Sequence, residues 1–289
     1  MVRFPGSSLI AGYRRSNRRM EETNRDYRCA VRHALEGPVP HIDFNALTFV
    51  FVDMSHSFIF FILMRRQISK RYQLALTLTT LAVSIASYHS LRIFSWWNET
   101  FGLHAVSCTL IQSGIPFNEA YRKVEWIPTV PLLIAAPVLV LRLDSNVSGH
   151  HIINLSATSP TMIGLGYSGE MAPAHSVGHL VSGGSIHCFA YIPYVLFVDL
   201  SRSLGRQTRG VKSLIDAQHS ILLVTWPVYP ATYFSPRFIS SPSTALVVRQ
   251  VGYSFADVPA RPIFGLPIVA TPPSRQRPTL RPELTRPHR

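Results

Sequence analysis

The sequence predicts an all-α membrane protein, a bundle of seven transmembrane helices with its N-terminus outside and its C-terminus in the cytoplasm. Three observations predict this class. Only 15% of the 289 residues are charged, against about 25% in an average soluble domain. The charges are missing from apolar segments, most of them near the roughly 20 residues that cross a bilayer as a helix. Basic residues collect in the short connections between these segments.

The first three predicted spans are strongly apolar. Asn45–Met64 includes Asp53 and His56, and the second span has Arg92 as its formal charge. The third span has three charged residues near its start. Their predicted bounds are Asn45–Met64, Tyr72–Trp97 and Tyr121–Leu141.

The last four predicted spans are more polar or shorter. The fourth is rich in Gly, Ser and Thr, the sixth has no charged residue, and the seventh carries Arg249, Asp257 and Arg261. Their predicted bounds are Ile152–Met171, Ile186–Leu200, Ser220–Phe234 and Thr244–Ala270.

The loops predict the orientation. Basic residues lie between spans one and two (residues 65–71) and between spans five and six (residues 202–212). The connection between Trp97 and Tyr121 has neither Lys nor Arg. Because short cytoplasmic loops carry the excess of Lys and Arg, the basic connections face the cytoplasm. We therefore expect a multi-pass protein of the cell membrane whose main partner is the lipid bilayer.

The cysteine content and the distribution of charge argue against other classes of protein. Three cysteines make no disulfide framework. The net charge of +13 lies largely in the tails and connections, so we predict no nucleic-acid partner. Residues 1–41 form a basic tail and residues 272–289 a Pro/Arg-rich tail, both predicted to be disordered, around a membrane domain at 42–271. Association as a homo- or hetero-oligomer is left open.

Charged residues inside apolar spans are costly and mark functional sites. Arg122 and Glu125 are three apart in span three, and Asp257 and Arg261 are four apart in span seven. Residues at these spacings share one helix face. Two carboxylates and two guanidiniums can therefore meet inside the bundle. They form either a functional site or an ion network that pins two helices together.

Several segments resemble the microbial rhodopsin family, in particular the proteorhodopsin and xanthorhodopsin group. Phe117–Asp144 resembles the third helix of that group, with its Arg, acid, Trp, Thr and Pro at Arg122, Glu125, Trp126, Thr129 and Pro131. Four more segments resemble the second, fourth, sixth and seventh helices: residues 71–94, Met162–Glu170, Trp226–Pro230 and Arg249–Gly265. The resemblance covers roughly residues 42–270, in order.

The resemblance implies roles for particular residues. Glu125 is the counterion and proton acceptor, His89 lies within hydrogen-bond reach of it, Asp257 is the second counterion, and Arg122 gates the outer side. The family binds retinal, and the slot for it is implied at Trp126, Thr129, Met162, Gly166, Trp226, Tyr229 and Tyr233.

Two positions depart from the family. Its retinal forms a Schiff base with a lysine four residues after the helix-seven aspartate, but here Asp257 is followed at that spacing by Arg261. The segment Thr244–Ala270 has no lysine. A guanidinium stays protonated at ordinary pH, so we expect no covalent attachment of retinal. Ala136 stands where pumps of the group have a carboxylate proton donor.

The resemblance implies retinal-based, light-driven transport of ions, mostly protons, and no enzymatic activity. Arg261 and Ala136 argue against pumping by this chain. The alternatives are a lysine-less protein that senses a non-covalent ligand, a subunit of a hetero-oligomer, or a decayed gene product. Extra prolines favour the last alternative: Pro128, Pro227, Pro259 and Pro262.

Histidines suggest a metal site only weakly. His175 and His179 have the i, i+4 spacing of helical metal ligands, but no acidic partner has a matching spacing. We interpret them as loop and interface histidines, and we predict no metal.

Overall fold

The computed structural model describes residues 40–104, 109–112, 120–172, 175–240 and 242–270. Within these ranges the chain forms seven helical rods, which agrees with the predicted fold class. The two predicted tails lie outside the described residues, except that the first helix already includes Pro40 and His41.

The first three rods are single helices: α1 Pro40–Met64, α2 Gln73–Thr100 and α3 Ala120–Leu141. A short antiparallel hairpin connects α2 to α3, with strands β1 Phe101–His104 and β2 Thr109–Gln112. This hairpin was not predicted from the sequence.

The fourth and fifth rods begin earlier than predicted. The helix α4 runs over Ser145–Met171 and α5 over His175–Tyr194, where Ile152 and Ile186 were the predicted starts. A π-helical turn, Val195–Asp199, extends α5. Hydropathy detects the apolar part of a helix alone, whereas the backbone hydrogen bonds continue into its polar first turns.

The sixth and seventh rods are interrupted. The sixth consists of α6 Arg209–Thr225 and α7 Val228–Phe234, which meet around Pro227. It begins at Arg209 rather than at the predicted Ser220. The seventh consists of α8 Pro242–Val258, a π-helical turn at Pro259–Ile263, and α9 Phe264–Val269. Proline lacks the N–H that an α-helix needs, and both interruptions lie at prolines. Pro227, Pro259 and Pro262 thus alter the helices locally without ending the rods, whereas Pro128 lies inside the uninterrupted helix α3.

The rods pack side by side around a shared interior. Consecutive helices from α1 to α5 contact one another, and α8 returns to contact α1. The main apolar core lies between them and includes Met54, Leu76, Ala136 and Ile215. Large apolar side chains also cover the outside, among them Phe49, Leu63, Leu180, Val224 and Phe255. A continuous apolar exterior is suited to lipid rather than to water.

Four described helical segments are long and apolar enough to cross a membrane: Asn45–Met64, Gln73–Trp97, Ala120–Leu141 and Ser176–Arg206. The seventh rod contains ionisable residues that turn inward. Inward-facing charges lower the hydropathy of a span without exposing charge to lipid.

Candidate functional site

The four charged residues of spans three and seven meet in the interior of the bundle. Arg122, Glu125, Asp257 and Arg261 are each at most 4% exposed. Asp257 forms salt bridges of 2.7 Å with both guanidiniums, and Arg261 forms a third, also of 2.7 Å, with Glu125. The network therefore runs from Arg122 through Asp257 and Arg261 to Glu125, with two positive and two negative charges.

The pairing follows from the geometry of α3 and the seventh rod. Asp257 and Arg261 lie one turn apart, so a single carboxylate can accept from Arg261 with one oxygen and from Arg122 with the other. Arg122 pairs across the helix interface rather than with Glu125 on its own helix. It also donates to Gln250 Oε1 at 3.1 Å.

Two hydroxyl groups complete the network. The Tyr229 hydroxyl donates to Asp257 Oδ1 at 2.8 Å. The Thr129 hydroxyl donates to the Glu125 backbone carbonyl at 2.9 Å and lies 3.2 Å from Oε1 of the same residue. These bonds hold both carboxylates in place, since a buried charge is stable only when it is paired and hydrogen-bonded.

A cavity of about 360 Å³ lies beside the network. It is walled by α3, α4, α5, the sixth rod and the seventh rod, and Arg261 is part of its wall. Its volume lies in the range of small-molecule sites. The predicted slot residues on the wall are Trp126, Met162, Gly166, Trp226, Tyr229 and Tyr233. Thr129 does not line the cavity and instead supports Glu125.

Aromatic contacts and hydroxyl bonds shape the cavity. Trp126 packs edge to face on Tyr229 and Tyr253, with ring centroids 5.2 and 4.9 Å apart. The Tyr233 hydroxyl donates to the Gly166 carbonyl at 3.0 Å. A side chain at Gly166 would begin 3.1 Å from the Ser185 hydroxyl oxygen. This glycine therefore leaves room in the wall between α4 and α5.

The predicted hydrogen bond between His89 and Glu125 is not formed. His89 Nδ1 is buried without a hydrogen-bond partner, and its ring contacts the Tyr88 ring edge-on at 5.3 Å. Glu125 Oε1 is occupied by Arg261 and Thr129. The guanidinium of Arg261, and not His89, is the charged partner of the Glu125 carboxylate.

The donor position also lacks a titratable group. Ala136 is fully buried in the apolar core. The methyl side chain of Ala136 has no acidic proton, so it cannot act as a proton donor.

Sequence reasoning missed Lys123. It is 6% exposed and lines the cavity. Its Nζ lies 3.4 Å from the Tyr253 hydroxyl oxygen and 3.9 Å from Glu170 Oε2. Glu170 also pairs with Arg249 of α8. The available signal was a lysine inside an apolar span, next to Arg122.

Among the described residues, no three His, Cys, Asp or Glu side chains form a group that could hold a metal ion. His175 and His179 lie in the helix α5 and not in a loop, so that part of their interpretation was wrong. The side chain of His175 lies outside what the structure describes.

Comparison with known proteins identifies similar chains. The family model described as "Bacteriorhodopsin-like protein" matches residues 44–272. The chain is 27% identical over 238 residues to the green-light absorbing proteorhodopsin of Gamma-proteobacterium EBAC31A08, covering 80% of this chain and 87% of that protein. It is 26% identical over 157 residues to sensory rhodopsin-2 of Natronomonas pharaonis, covering 52% and 62%.

Solved structures agree with these similarities. The crystal structure of a thermophilic rhodopsin has a TM-score of 0.75 and 35% identity, covering 80% of this chain and 92% of that chain. The structure of xanthorhodopsin, described as a light-driven ion pump with dual chromophore, has a TM-score of 0.73 and 35% identity, covering 80% and 91%.

Proposed function

The chain belongs to the bacteriorhodopsin-like protein family, and on that premise we propose that it is a non-pumping member that binds an elongated apolar ligand non-covalently in its cavity. The family is one of retinal-binding membrane proteins, and light-driven proton pumping is its characteristic role. In this proposal the protein retains a ligand cavity but has no covalent linkage to its ligand.

The observation that carries the proposal is the position of Arg261. It lines the cavity and both of its terminal nitrogens are salt-bridged to carboxylates. A guanidinium cannot form the imine that a lysine amine forms with an aldehyde, and it stays charged. Arg261 therefore supplies a permanent cation between Glu125 and Asp257. The resting charge balance of the site is kept while the linkage is lost.

Loss of pumping follows from the same residues. A pump needs a group that gives up a proton and later regains it. In our proposal Glu125 and Asp257 serve as counterions of Arg261, and Arg122 closes the network at the end nearer the start of α3. Ala136 cannot return a proton from the other side.

The residues fit a retinal-like group held without a covalent bond. Apolar and aromatic side chains form most of the cavity wall, and they suit the carbon skeleton of such a ligand. They do not fit covalent attachment at the family's linkage position, since no lysine is found in Thr244–Ala270.

The test is titration of the purified protein in detergent with all-trans retinal, followed by borohydride reduction and mass spectrometry. We expect saturable quenching of tryptophan fluorescence, because Trp126 and Trp226 line the cavity. All the retinal should be extractable with organic solvent. A retinyl adduct within Thr244–Ala270 would show covalent attachment, and the absence of any binding would refute the proposed ligand site.

A further inference from the structure

We propose that the ligand of the cavity is an elongated apolar carboxylate, and that its carboxylate binds at Lys123 and Trp126 rather than at Arg261. This inference rests on the proposed function, because it names the chemical class and orientation of the ligand in that same cavity. It concerns the side chain of Lys123 and the indole N–H of Trp126, to which the family resemblance assigned no polar contact.

Lys123 lines the cavity and is 6% exposed. Its Nζ lies 4.9 Å from the Trp126 ring centroid and 4.7 Å from that of Tyr253. Aromatic faces stabilise a cation at these distances. These contacts place the Lys123 side chain where a cation can pair with an anionic group of a ligand.

Trp126 supplies a second donor in the same wall. Its side chain carries the ring that Lys123 contacts, and the residue is 8% exposed. The indole Nε1 is buried without a hydrogen-bond partner. A buried donor without a partner costs free energy. A carboxylate has two oxygens, so one can accept from Lys123 and the other from Trp126.

Arg261 is a poor anchor for an anion, although it lines the cavity too. Its two terminal nitrogens are each 2.7 Å from a carboxylate oxygen, of Glu125 and of Asp257. A third carboxylate there would meet two like charges at short range. The polar end of the ligand is therefore directed to the other cation of the wall.

Glu170 tunes the site. Its Oε2 lies 3.9 Å from Lys123 Nζ, a distance longer than a hydrogen bond. Its Oε1 is held by Arg249. Glu170 thus forms ion pairs with both Lys123 and Arg249, and its negative charge opposes an incoming anion. Glu170→Gln should tighten binding of a carboxylate and leave binding of an uncharged analogue unchanged.

The experiment compares all-trans retinoic acid with all-trans retinol, which has the same carbon skeleton without the carboxylate. Both are titrated into the detergent-solubilised protein and followed by tryptophan fluorescence. The expected preference for the acid is roughly 10–100-fold, the range of a hydrogen bond to a charged group. This comparison needs no variant, so it remains decisive if a substitution prevents folding.

Variants then locate the contact. Lys123→Met should remove the preference, and Lys123→Arg should keep most of it. Trp126→Phe keeps an aromatic ring at this position and removes the indole N–H. It should therefore reduce the preference for the acid over the alcohol several-fold. Lys70→Met is the matched control, because Lys70 is exposed in the connection between α1 and α2.

The outcomes separate the two proposals. Equal affinity for acid and alcohol overturns this inference and leaves the proposed ligand site standing. No binding of acid, alcohol or aldehyde overturns both. A retinyl adduct trapped on Lys123 also overturns the inference, because it would show a reactive neutral amine. The chain has three lysines, at 70, 123 and 212, so the modified peptide is unambiguous.

Discussion

At the scale of single residues, the centre of the molecule is a chain of salt bridges whose middle members are Asp257 and Arg261. Each of these residues pairs with two partners of opposite charge. Removing one member leaves its buried partners without an opposite charge. Removing a carboxylate that serves two guanidiniums should therefore cost more stability than removing a surface partner.

Asp257→Asn should destabilise the protein by about 3–5 kcal/mol, the cost of leaving a buried charge without its partner. Asp199→Asn is the control: its partner Arg202 is 72% exposed, and such surface pairs contribute about 0–1 kcal/mol. Thermal unfolding in detergent measures both. Equal losses of stability would mean that Asp257 does not hold the network together.

Arg261→Lys should restore an amine at the linkage position and produce a weak pigment with all-trans retinal. The pigment should be weak because the lysine lies in the π-helical turn with Pro259 and Pro262, and because Glu125 and Asp257 favour its charged form. Visible absorbance measures it, with Arg261→Met as the colourless control. Strong pigment would show that the prolines do not disturb the site.

Ala136→Glu added to Arg261→Lys should speed the late photocycle, since it supplies a proton donor. Flash-induced absorbance decay measures the rate. An unchanged decay would mean that another group already donates the proton.

At the scale of elements, the shape of one side of the cavity depends on how closely α4 packs on α5. Gly169 and Gly178 belong to this contact, since an added Cβ at Gly169 would lie 3.1 Å from the Gly178 carbonyl. Gly166 borders the cavity in the same contact. Because two helices approach closely only where side chains are small, the glycines of α4 differ in what they tolerate.

Gly166→Leu should fill part of the cavity and weaken ligand binding by about tenfold or more, where tenfold corresponds to 1.4 kcal/mol of lost contact. Gly164→Leu is the matched control on the same helix, because an added Cβ there meets nothing within 4 Å. Fluorescence titration with the same ligand measures both. Equal affinity of the two variants would place the ligand elsewhere.

At the scale of the whole molecule, apolar side chains lie both in the core of the bundle and on its outer surface. The core between the rods is apolar, and so is the outside, where Phe49 is 61% and Leu180 is 79% exposed. The charged network lies inside this double layer. Such an arrangement is stable only where the outer face contacts lipid, which agrees with the membrane location of the family.

The protein should stay in the membrane fraction after alkaline carbonate washing and leave it only with detergent. Alkali removes proteins held by charge but leaves apolar surface in the bilayer. Immunoblotting of both fractions measures this. Release by carbonate would contradict the transmembrane assignment.

Much of the fold followed from the sequence because its signals are local. An apolar segment of sufficient length indicates a membrane helix whatever its neighbours are, and the seven rods and the family are confirmed. The predicted starts of α4, α5 and α6 were wrong, because the first turns of these helices are polar. The shared faces of Arg122 with Glu125 and of Asp257 with Arg261 were also readable, since helical spacing alone determines them.

Only the tertiary structure decided which of these faces meet. The rotation of each helix about its axis depends on the packing of all its neighbours. That rotation pairs Arg122 with Asp257 rather than Glu125, leaves His89 without the predicted bond, and directs Lys123 to the cavity. Sequence spacing determines which residues share a helix, and packing between helices determines what those residues touch.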